Sequence, residues 1–300
     1  MPALFKLQLR LPATVIAATL LAAPAMADEN LFGHVKGAET LPEGTWEGYQ
    51  ILTDRSDKGL GDYQALDAVT EIEYGVSNRF TVSGGLKLMS IDTSGLLVDG
   101  YLPADRNFTL KFSGLEFSAK YNFLSPALDD FGLSGYWSLD YLTVDPHSGQ
   151  DKRTISFESM LLAQKYFLEG QLVWVGNTAL EATHAKRAEI DNLPAGFEWP
   201  TDPEMEIEFK LGTGLSYRFA TGWFAGFEAL YETEFETEVG QERWSVFAGP
   251  NIHYASTTWW ATLNWFEQLR GGGELIQADD DLHLIEKTER EVRLKLGYNF

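Results

Sequence analysis

The sequence predicts an all-β protein: a transmembrane antiparallel up-and-down β-barrel of about 12 strands that follows a cleaved signal peptide. Three observations predict it. The first residues have the pattern of a secretory leader, the rest of the chain divides into short segments of alternating hydrophobicity, and that alternation continues to Phe300, the last residue. Alternation of this kind gives a strand two unlike faces.

The leader is the first element. Lys6 and Arg10 precede the short apolar run LPATVIAATLLAAP, and the small residues of Ala25–Ala27 precede Asp28. A charged start, an apolar core and a small-residue cleavage site are typical of a signal peptide. The apolar run is shorter than the roughly 20 residues that a membrane-spanning helix needs. We therefore expect a signal peptide at 1–27, a periplasmic N-terminal segment at 28–44 and an outer-membrane β-barrel at 45–300.

Composition excludes several classes of function. The chain has 23 basic and 44 acidic residues, a formal net charge of −21, and no cysteine. Nucleic acid is therefore not expected as a partner, because phosphate contacts need clusters of Lys and Arg. Without cysteine, neither a disulfide framework nor a thiolate metal site can form. Aromatic residues make up 13% of the chain, with 9 Trp, which favours an outer-membrane barrel. No cofactor is expected.

About twelve segments have the pattern of strands. In chain order they are EGTWEGYQIL, ALDAVTEIEYGV, RFTVSGGLKLMSI, FTLKFSGLEFSAKYNF, GLSGYWSLDYLTV, KRTISFESMLLAQKYF, GQLVWVGNTALEA, EMEIEFKLGTGLSYRF, GWFAGFEALYETEF, QERWSVFAGPNIHYA, TTWWATLNWFEQL and REVRLKLGYNF. The connections between them alternate between short turns such as VSNR or LEG and long polar loops such as 183–203. Short periplasmic turns and long external loops are the arrangement of outer-membrane barrels.

Aromatic residues recur next to the short turns and predict a girdle at one membrane interface. The predicted members are Tyr74, Phe80, Tyr121, Phe123, Tyr166, Phe167, Tyr217, Phe219, Trp223, Tyr254, Trp259 and Trp260. A soluble β-sandwich also has alternating strands, but its buried face favours Leu, Ile and Val over Trp and Tyr.

The last strand alternates up to its final residue. Val292, Leu294, Leu296, Tyr298 and Phe300 alternate with polar or small residues up to the final position. This pattern resembles the β-signal by which the outer-membrane assembly machinery recognises its substrates, and the resemblance implies the outer membrane of a Gram-negative bacterium. The layout of about 12 strands is similar to that of the MetA-like transporter barrels of phenol degradation, which implies passage of small solutes.

Charged residues identify the face that lines the lumen, because a carboxylate facing the lipid costs several kcal/mol. On the eighth strand Glu204, Glu206, Glu208 and Lys210 are expected inside, with Met205, Ile207, Phe209 and Leu211 outside. Glu228, Arg243, Arg293 and Lys295 are expected inside on later strands, and Lys111 on the fourth. Glu206, Glu208 and Glu228 would lower the cost of cation entry, with Lys210, Arg293 and Lys295 on the opposite wall. The first, sixth and seventh strands do not resolve into two faces.

Two interpretations of this charged interior remain open. Acidic and basic columns that face each other across water would make a narrow, weakly cation-preferring passive channel for small solutes or ions. Charges that pair between neighbouring strands would instead fill the interior, leaving a structural or adhesive barrel that acts through its loops. Twelve strands lie between the eight that side chains can fill and the sixteen of an open porin. The channel is the main prediction, with a monomer in outer-membrane lipid.

Catalytic and metal sites are sparse. An enzyme is not expected: His147 and Ser148 are the only candidates for a lipid hydrolase, and adjacent residues of an extended strand point to opposite faces. His253, next to Asn251, is expected to be a solvated lumen residue. Asp279, Asp280 and Asp281 suggest a divalent-cation site, because hard oxygen ligands suit Ca²⁺ or Mg²⁺, and the alternative is an acidic loop that stays solvated.

Overall fold

Twelve antiparallel strands close into a single barrel in the computed structural model, which describes residues 30–97, 105–190, 199–236, 240–273 and 281–300. This confirms the predicted fold class. The strands are β1 (Trp46–Ser56), β2 (Leu60–Ser77), β3 (Phe80–Leu97), β4 (Asn107–Leu124), β5 (Gly132–Val144), β6 (Asp151–Phe167), β7 (Leu172–Arg187), β8 (Glu204–Ala220), β9 (Trp223–Glu236), β10 (Gly240–Ala255), β11 (Trp259–Gly273) and β12 (Arg290–Asn299). A 3₁₀ turn at Leu168–Gly170 joins β6 to β7.

The barrel closes by pairing its first and last strands. The strand β1 pairs with β12 from Glu47 opposite Asn299 to Ser56 opposite Arg290. At the seam, the Phe300 N–H donates to the Trp46 carbonyl at 3.0 Å, and the Trp46 N–H donates to the Phe300 carbonyl at 3.2 Å. Hydrocarbon offers no partner to a backbone polar group, so a sheet in a bilayer must close. The last residue keeps its strand pattern because it completes this closure.

Side chains alternate between a lipid face and a lumen face. On β8 and β9, Ile207 and Phe227 are 56% and 54% exposed on the outside, whereas the adjacent Glu208 and Glu228 are buried inside. On β5, Leu139 is exposed and Ser138 is buried. The predicted faces of β8 and the predicted inward position of Glu228 are confirmed. Among the described residues, no helix has the length and apolar content to cross a membrane.

The short-turn end carries an aromatic girdle, as predicted, but two of its expected members point inward. Outward rings include Trp46, Tyr121, Phe167, Tyr217, Trp223, Trp259 and Tyr298. Trp260 is 2% exposed and donates its indole N–H to Glu47 inside the barrel. Tyr166 packs on Val173 inside and accepts a hydrogen bond from Gln164. The prediction for both is wrong because each lies next to an outward aromatic residue, Phe167 beside Tyr166 and Trp259 beside Trp260, and neighbours in a strand face opposite ways.

Residues 30–41, here called the lumen segment, lie inside the barrel. The chain enters at the short-turn end, where the Gly44 N–H donates to the Gly75 carbonyl at 2.8 Å and the Leu41 N–H donates to the Thr81 hydroxyl at 2.9 Å. It then crosses the lumen to the far wall, where the Asn30 carbonyl accepts from Thr262 at 2.6 Å. The sequence had predicted residues 28–44 as a periplasmic segment, and the described part of that stretch begins within the barrel.

Residues 281–289, here called the mouth loop, fold inward at the long-loop end. The Gly271 N–H donates to the Asp281 carbonyl at 2.8 Å, and the His283 N–H donates to Gln268 at 2.6 Å. Ile285 then joins an apolar cluster inside the barrel with Tyr63, Ala65, Met89, Ile91, Leu96 and Val144. The lumen is therefore occupied from both ends, by the lumen segment below and the mouth loop above.

The prediction that Lys111 lies on the inner wall is wrong. The pairing of β3 with β4 shifts register between Lys87 and Leu88 and again between Met89 and Ile91. Leu110, next to Lys111, has a φ of +48°. An extra residue in one strand reverses which side chains face inward beyond it. Lys111 consequently lies outside, where its ammonium pairs with Asp151 at 2.6 Å.

The lipid face predicts a depth-dependent cost for charge. Leu180 lies near the middle of β7 and is 56% exposed, whereas Tyr217 lies near the short-turn end of β8 and is 45% exposed. We expect Leu180→Arg to lower the free energy of unfolding by roughly 2–4 kcal/mol, and Tyr217→Arg by at most about 1 kcal/mol. Urea unfolding in lipid vesicles measures both, and equal losses would contradict this placement of the lipid band.

Candidate functional site

The centre of the lumen is a carboxylate that holds the lumen segment. Glu228, on β9, is 0% exposed. One of its oxygens accepts the N–H of Gly33 at 2.7 Å, and the other accepts the N–H groups of His34 and Val35 at 2.8 and 3.1 Å. The side-chain amides of Asn251 and Asn264 donate to the first oxygen at 3.1 and 2.9 Å. Hydrogen bonds to an ionised acceptor are stronger than neutral ones, so this contact is the main anchor of the lumen segment.

Side-chain amides and hydroxyls bond the rest of the segment's backbone. Asn177 accepts from the Lys36 N–H at 2.7 Å and donates to the Lys36 carbonyl at 2.8 Å. Gln164 accepts from the Ala38 N–H at 2.7 Å, and Asn122 donates to the Ala38 carbonyl at 2.8 Å. A buried backbone that is not in a sheet must bond to something else. These polar wall residues therefore serve a segment far from them in sequence.

An apolar contact complements these hydrogen bonds. Phe32 and Val35 are buried in one cluster with Leu31, Val173 and Val175. They lie over Gly214 and Gly212 of β8, where an added Cβ would come within 2.6 Å of the Phe32 ring and 2.7 Å of a Val35 methyl. The two glycines make room for the segment. The apolar inner face of β7 also explains why that strand did not resolve into two faces from its sequence.

The predicted lumen charges form ion-pair networks between neighbouring strands. The Lys210 ammonium lies 3.1 Å from Glu158, 2.6 Å from Glu181 and 3.0 Å from Glu208. The expectation that Lys210 faces the acidic residues from the opposite wall is therefore wrong. On a barrel wall, a residue two positions along the same strand shares the same face and is a direct neighbour.

A second network ties the mouth loop to the wall. Arg243, on β10, pairs with Glu234 and with Glu286 of the mouth loop, and lies 3.4 Å from Glu208. Lys287 of the mouth loop pairs with Glu232 and lies 3.5 Å from Glu208. Burial opposes ionisation of Glu286, but attraction to Arg243 and Lys58 outweighs burial and lowers the pKa of that carboxyl. The mouth loop is thus held by charge.

The remaining predicted lumen residues also face inward. Lys152 lies 3.2 Å from Glu204 and 3.7 Å from Glu206. Arg293 donates to the Thr53 hydroxyl at 2.9 Å and to the Gly33 carbonyl at 3.0 Å, and Lys295 donates to Asn30 at 2.6 Å. The two β12 cations therefore contact the lumen segment. The part that any of these residues plays in selectivity stays a prediction.

A cavity of about 320 Å³ lies beside the lumen segment. Its charged lining includes Lys36, Glu71, Lys87, Glu116 and Arg293, and its apolar lining includes Ile51, Val69, Met89, Val144 and Pro146. Lys87 is paired with Glu116 at 2.9 Å and with Asp140. Since side chains of both signs and apolar groups line it, the cavity suits a small solute more than a bare hydrophobic ligand.

The expected solvated role of His253 is wrong. Its ring is 0% exposed, lies 2.7 Å from the Thr262 hydroxyl and packs against Phe224 and Trp260. The lumen segment covers this wall, because Thr262 also donates to the Asn30 carbonyl. His253 therefore belongs to the packed base of the lumen.

The described residues at His147 and Ser148 form a turn. The Ser148 hydroxyl donates to Asp145 at 2.7 Å, and the His147 backbone N–H donates to the same carboxylate at 3.0 Å. Burial lowers the pKa of the His147 imidazole, with a further contribution from the nearby Lys58. Asp145 thus closes a turn in the β5–β6 loop, and the Ser148 hydroxyl is directed at it rather than at His147.

The predicted metal ligands fall partly outside the described residues. Asp279 and Asp280 lie there, and the Asp281 carboxylate pairs with Arg270 at 2.6 Å. The divalent-cation site therefore stays a prediction.

The closed barrel, the apolar outer face and the polar interior define the class of fold: a 12-stranded antiparallel β-barrel of the kind found in outer-membrane proteins. More particularly, the chain belongs to DUF6662, a family of unknown function whose model matches residues 24–300. Comparison with curated protein sequences gives no match.

Solved structures share the fold at low sequence identity. The COG4313 outer membrane channel from Pseudomonas putida F1 is 13% identical with a TM-score of 0.57, and the match covers 88% of this chain and 98% of the channel. The β domain of the Bordetella autotransporter BrkA is 13% identical with a TM-score of 0.50, covering 86% and 100%. The translocator domain of the autotransporter NalP from Neisseria meningitidis is 11% identical with a TM-score of 0.50, covering 88% and 91%.

The Arg243 network predicts a large cost for removing its cation. Arg243→Met would leave Glu208, Glu234 and Glu286 buried together without it, and we expect the free energy of unfolding to fall by about 3–5 kcal/mol. Arg270→Met is the matched control, because its pair with Asp281 is exposed, and it should cost at most about 1 kcal/mol. Urea unfolding measures both changes. Similar small losses would show that the network adds little to stability.

Proposed function

We propose that this protein is a passive outer-membrane channel for small solutes, and that the lumen segment is a displaceable plug. One observation carries the proposal: residues 30–41 fill the lumen through side-chain hydrogen bonds and one apolar contact, beside a cavity of about 320 Å³. The likeness of the fold to that of an outer-membrane channel supports it.

The way in which the segment is held favours release. A strand added to the wall would share a ladder of backbone hydrogen bonds with it, and those bonds would have to break together. Residues 30–41 instead bond to single side chains spread over many strands, such as Thr81, Gln164, Asn177 and Glu228. Water can replace such polar contacts one at a time. Displacement would leave a polar passage without breaking the sheet.

A weak preference for cations is part of the proposal. Glu204, Glu206 and Glu208 line β8 inside, and Glu71 and Glu116 line the cavity. Excess carboxylate in a low-dielectric passage attracts cations and repels anions. Glu206 and Glu228 would lower the barrier for a cation once the segment moves, while Arg293 and Lys295 are the lumen cations that the segment itself contacts.

The second candidate is a structural or adhesive barrel with a permanently filled lumen. The ion pairs of Arg243 and Lys287 with wall carboxylates favour it, because they close the mouth with charges that are already compensated. In that case the loops at the long-loop end would carry the function.

Biogenesis and location follow from the same class. We propose that Val292, Leu294, Leu296, Tyr298 and Phe300 form the signal read by the barrel assembly machinery, and that the protein is a monomer in the outer membrane of a Gram-negative bacterium. The similarity of layout to the MetA-like transporter barrels is consistent with a small-solute channel.

Plug release predicts that weakening the Glu228 contact raises conductance. Glu228→Gln removes the charge that five N–H donors share, and a charge-assisted bond contributes about 1.5–3 kcal/mol. Loss of about 3 kcal/mol would raise the open fraction on the order of a hundredfold. Single-channel recording in planar bilayers measures this. Gly214→Val should act in the same direction by pushing Phe32 away, without altering any charge.

A reversible cross-link is the control for plug release. The chain has no cysteine, and a Cβ on Gly33 would lie 2.6 Å from the Asn264 Cβ, so Gly33→Cys with Asn264→Cys can join segment to wall after a small adjustment. The oxidised protein should be silent, and reduction should restore openings. Silence of every variant, with folding shown by heat-modifiable migration, would favour the structural barrel.

Cation preference predicts a change in reversal potential. Glu71→Gln with Glu206→Gln, tested in the Gly214→Val background that opens the lumen, should lower the cation-to-anion permeability ratio by about twofold. Asp130→Asn with Glu169→Gln is the matched control, because both carboxylates are exposed on short turns. Recording across a salt gradient measures the ratio. An unchanged ratio in the first pair would exclude an acidic selectivity wall.

A further inference from the structure

A basic patch lies on the outer surface of the barrel, at the long-loop end. Lys111, Arg153 and Lys186 all point away from the lumen there, on β4, β6 and β7. They line a groove of about 580 Å³ together with Tyr141, Thr143, Asp151, Lys152 and Arg187. We call Lys111, Arg153 and Lys186 the rim patch.

Two of these cations face each other directly. Arg153 and Lys186 are register partners in the β6–β7 pairing. Like charges directly opposite on one face of a sheet destabilise the pairing. In the part of the chain that the structure describes, neither has a carboxylate within ion-pair distance, and Lys111 is paired with Asp151 at 2.6 Å. The patch therefore holds two positive charges that no described carboxylate pairs with, on a chain whose net charge is −21.

Several other cations near this end of the barrel are paired with carboxylates. Lys152 and Arg187, the next register pair, turn inward and share Glu204. Arg270 pairs with Asp281, and Arg290 lies 3.6 Å from Glu267. Among the described residues, carboxylates thus pair with neighbouring cations on both faces but not with Arg153 or Lys186. Arg153 and Lys186 could therefore pair with an anion from outside the chain.

The patch borders the apolar band. Ile155 and Phe157 follow Arg153 on the same face of β6 and are 53% and 50% exposed. With a rise of about 3.3 Å per residue, the Arg153 head lies at the edge of the hydrocarbon, within reach of lipid headgroups. Long loops mark this end as external, so the headgroups are those of the outer leaflet.

We propose that the rim patch binds a phosphate group of an outer-leaflet glycolipid of the lipid A type. Arg153 can donate two parallel hydrogen bonds to a phosphate, and Lys186 can add a point charge opposite. Tyr141 offers a ring face at the level of the sugar, and Ile155 and Phe157 receive the acyl chains below. Binding converts the repulsion between the two cations into a shared contact.

The test is lipid binding to the full mature barrel in detergent micelles. Bisphosphorylated lipid A is titrated and bound lipid is counted by native mass spectrometry. We expect Arg153→Gln with Lys186→Gln to weaken binding by about tenfold or more. Lys165→Gln is the matched control, because Lys165 lies on the same strand at the short-turn end, and it should leave binding unchanged.

Three results would overturn the proposal. The first is equal affinity of the double variant and the native chain for lipid A. The second is equal affinity of the native chain for lipid A with and without its phosphates. The third is inorganic phosphate that competes as strongly as lipid A, which would assign the patch to a soluble anion. Folding is checked by heat-modifiable migration. The double variant should fold at least as well as the native chain, because it removes a repulsion between exposed residues.

Discussion

Closure of the sheet is the constraint on which the rest of this molecule depends. In hydrocarbon, a backbone N–H or C=O finds no partner outside the protein, so every strand must be paired on both sides. The Trp46–Phe300 contact satisfies that demand at the seam. Once the sheet is closed, each residue has only two environments, lipid or lumen. The alternation along all twelve strands follows from that choice.

Closure at twelve strands creates a second problem, because the enclosed space is wider than side chains alone can fill. The chain fills it with its own lumen segment and mouth loop. A segment without strand partners still has backbone groups to satisfy. Glu228 is the clearest example: it is fully buried, and its carboxylate accepts five hydrogen bonds, three from backbone N–H groups of the segment and two from asparagine amides. A buried charge is tolerable here because the donors replace its hydration.

The sequence predicts the outer face well and the inner face poorly, for one physical reason. Lipid favours apolar side chains at every position, so residues such as Ile207 and Phe227 identify the outer face from the local sequence alone. The residues of the inner face depend on what packs against them, and for Val173 and Thr262 that partner is the lumen segment, 130 or more residues away in sequence. The prediction for Lys111 is wrong for a different reason: the register of β3 and β4 shifts, and alternation alone does not show such a shift. One signal was available: Gly212 and Gly214 interrupt a charged face opposite the apolar Phe32 and Val35.

The lumen segment and the mouth loop are both anchored on the same side of the barrel, and their position limits where a solute could pass. Glu228 holds the lumen segment, while Glu232 of the same strand and Glu208 of β8 hold Lys287 of the mouth loop. Four residues separate the two β9 carboxylates, about 13 Å along the wall. The cavity, by contrast, is lined by β1 to β5, with Lys36 and Arg293 at its edge. Glu228 and the carboxylates that hold the mouth loop thus lie on β8 and β9, whereas the free space lies beside β1–β5. A solute path along β1–β5 therefore requires the lumen segment to shift at Lys36, while the charge network on β8–β10 stays paired. Under the proposed channel function, such a shift would leave the ion pairs of Arg243 and Lys287 intact, so a mouth with paired charges is compatible with a channel.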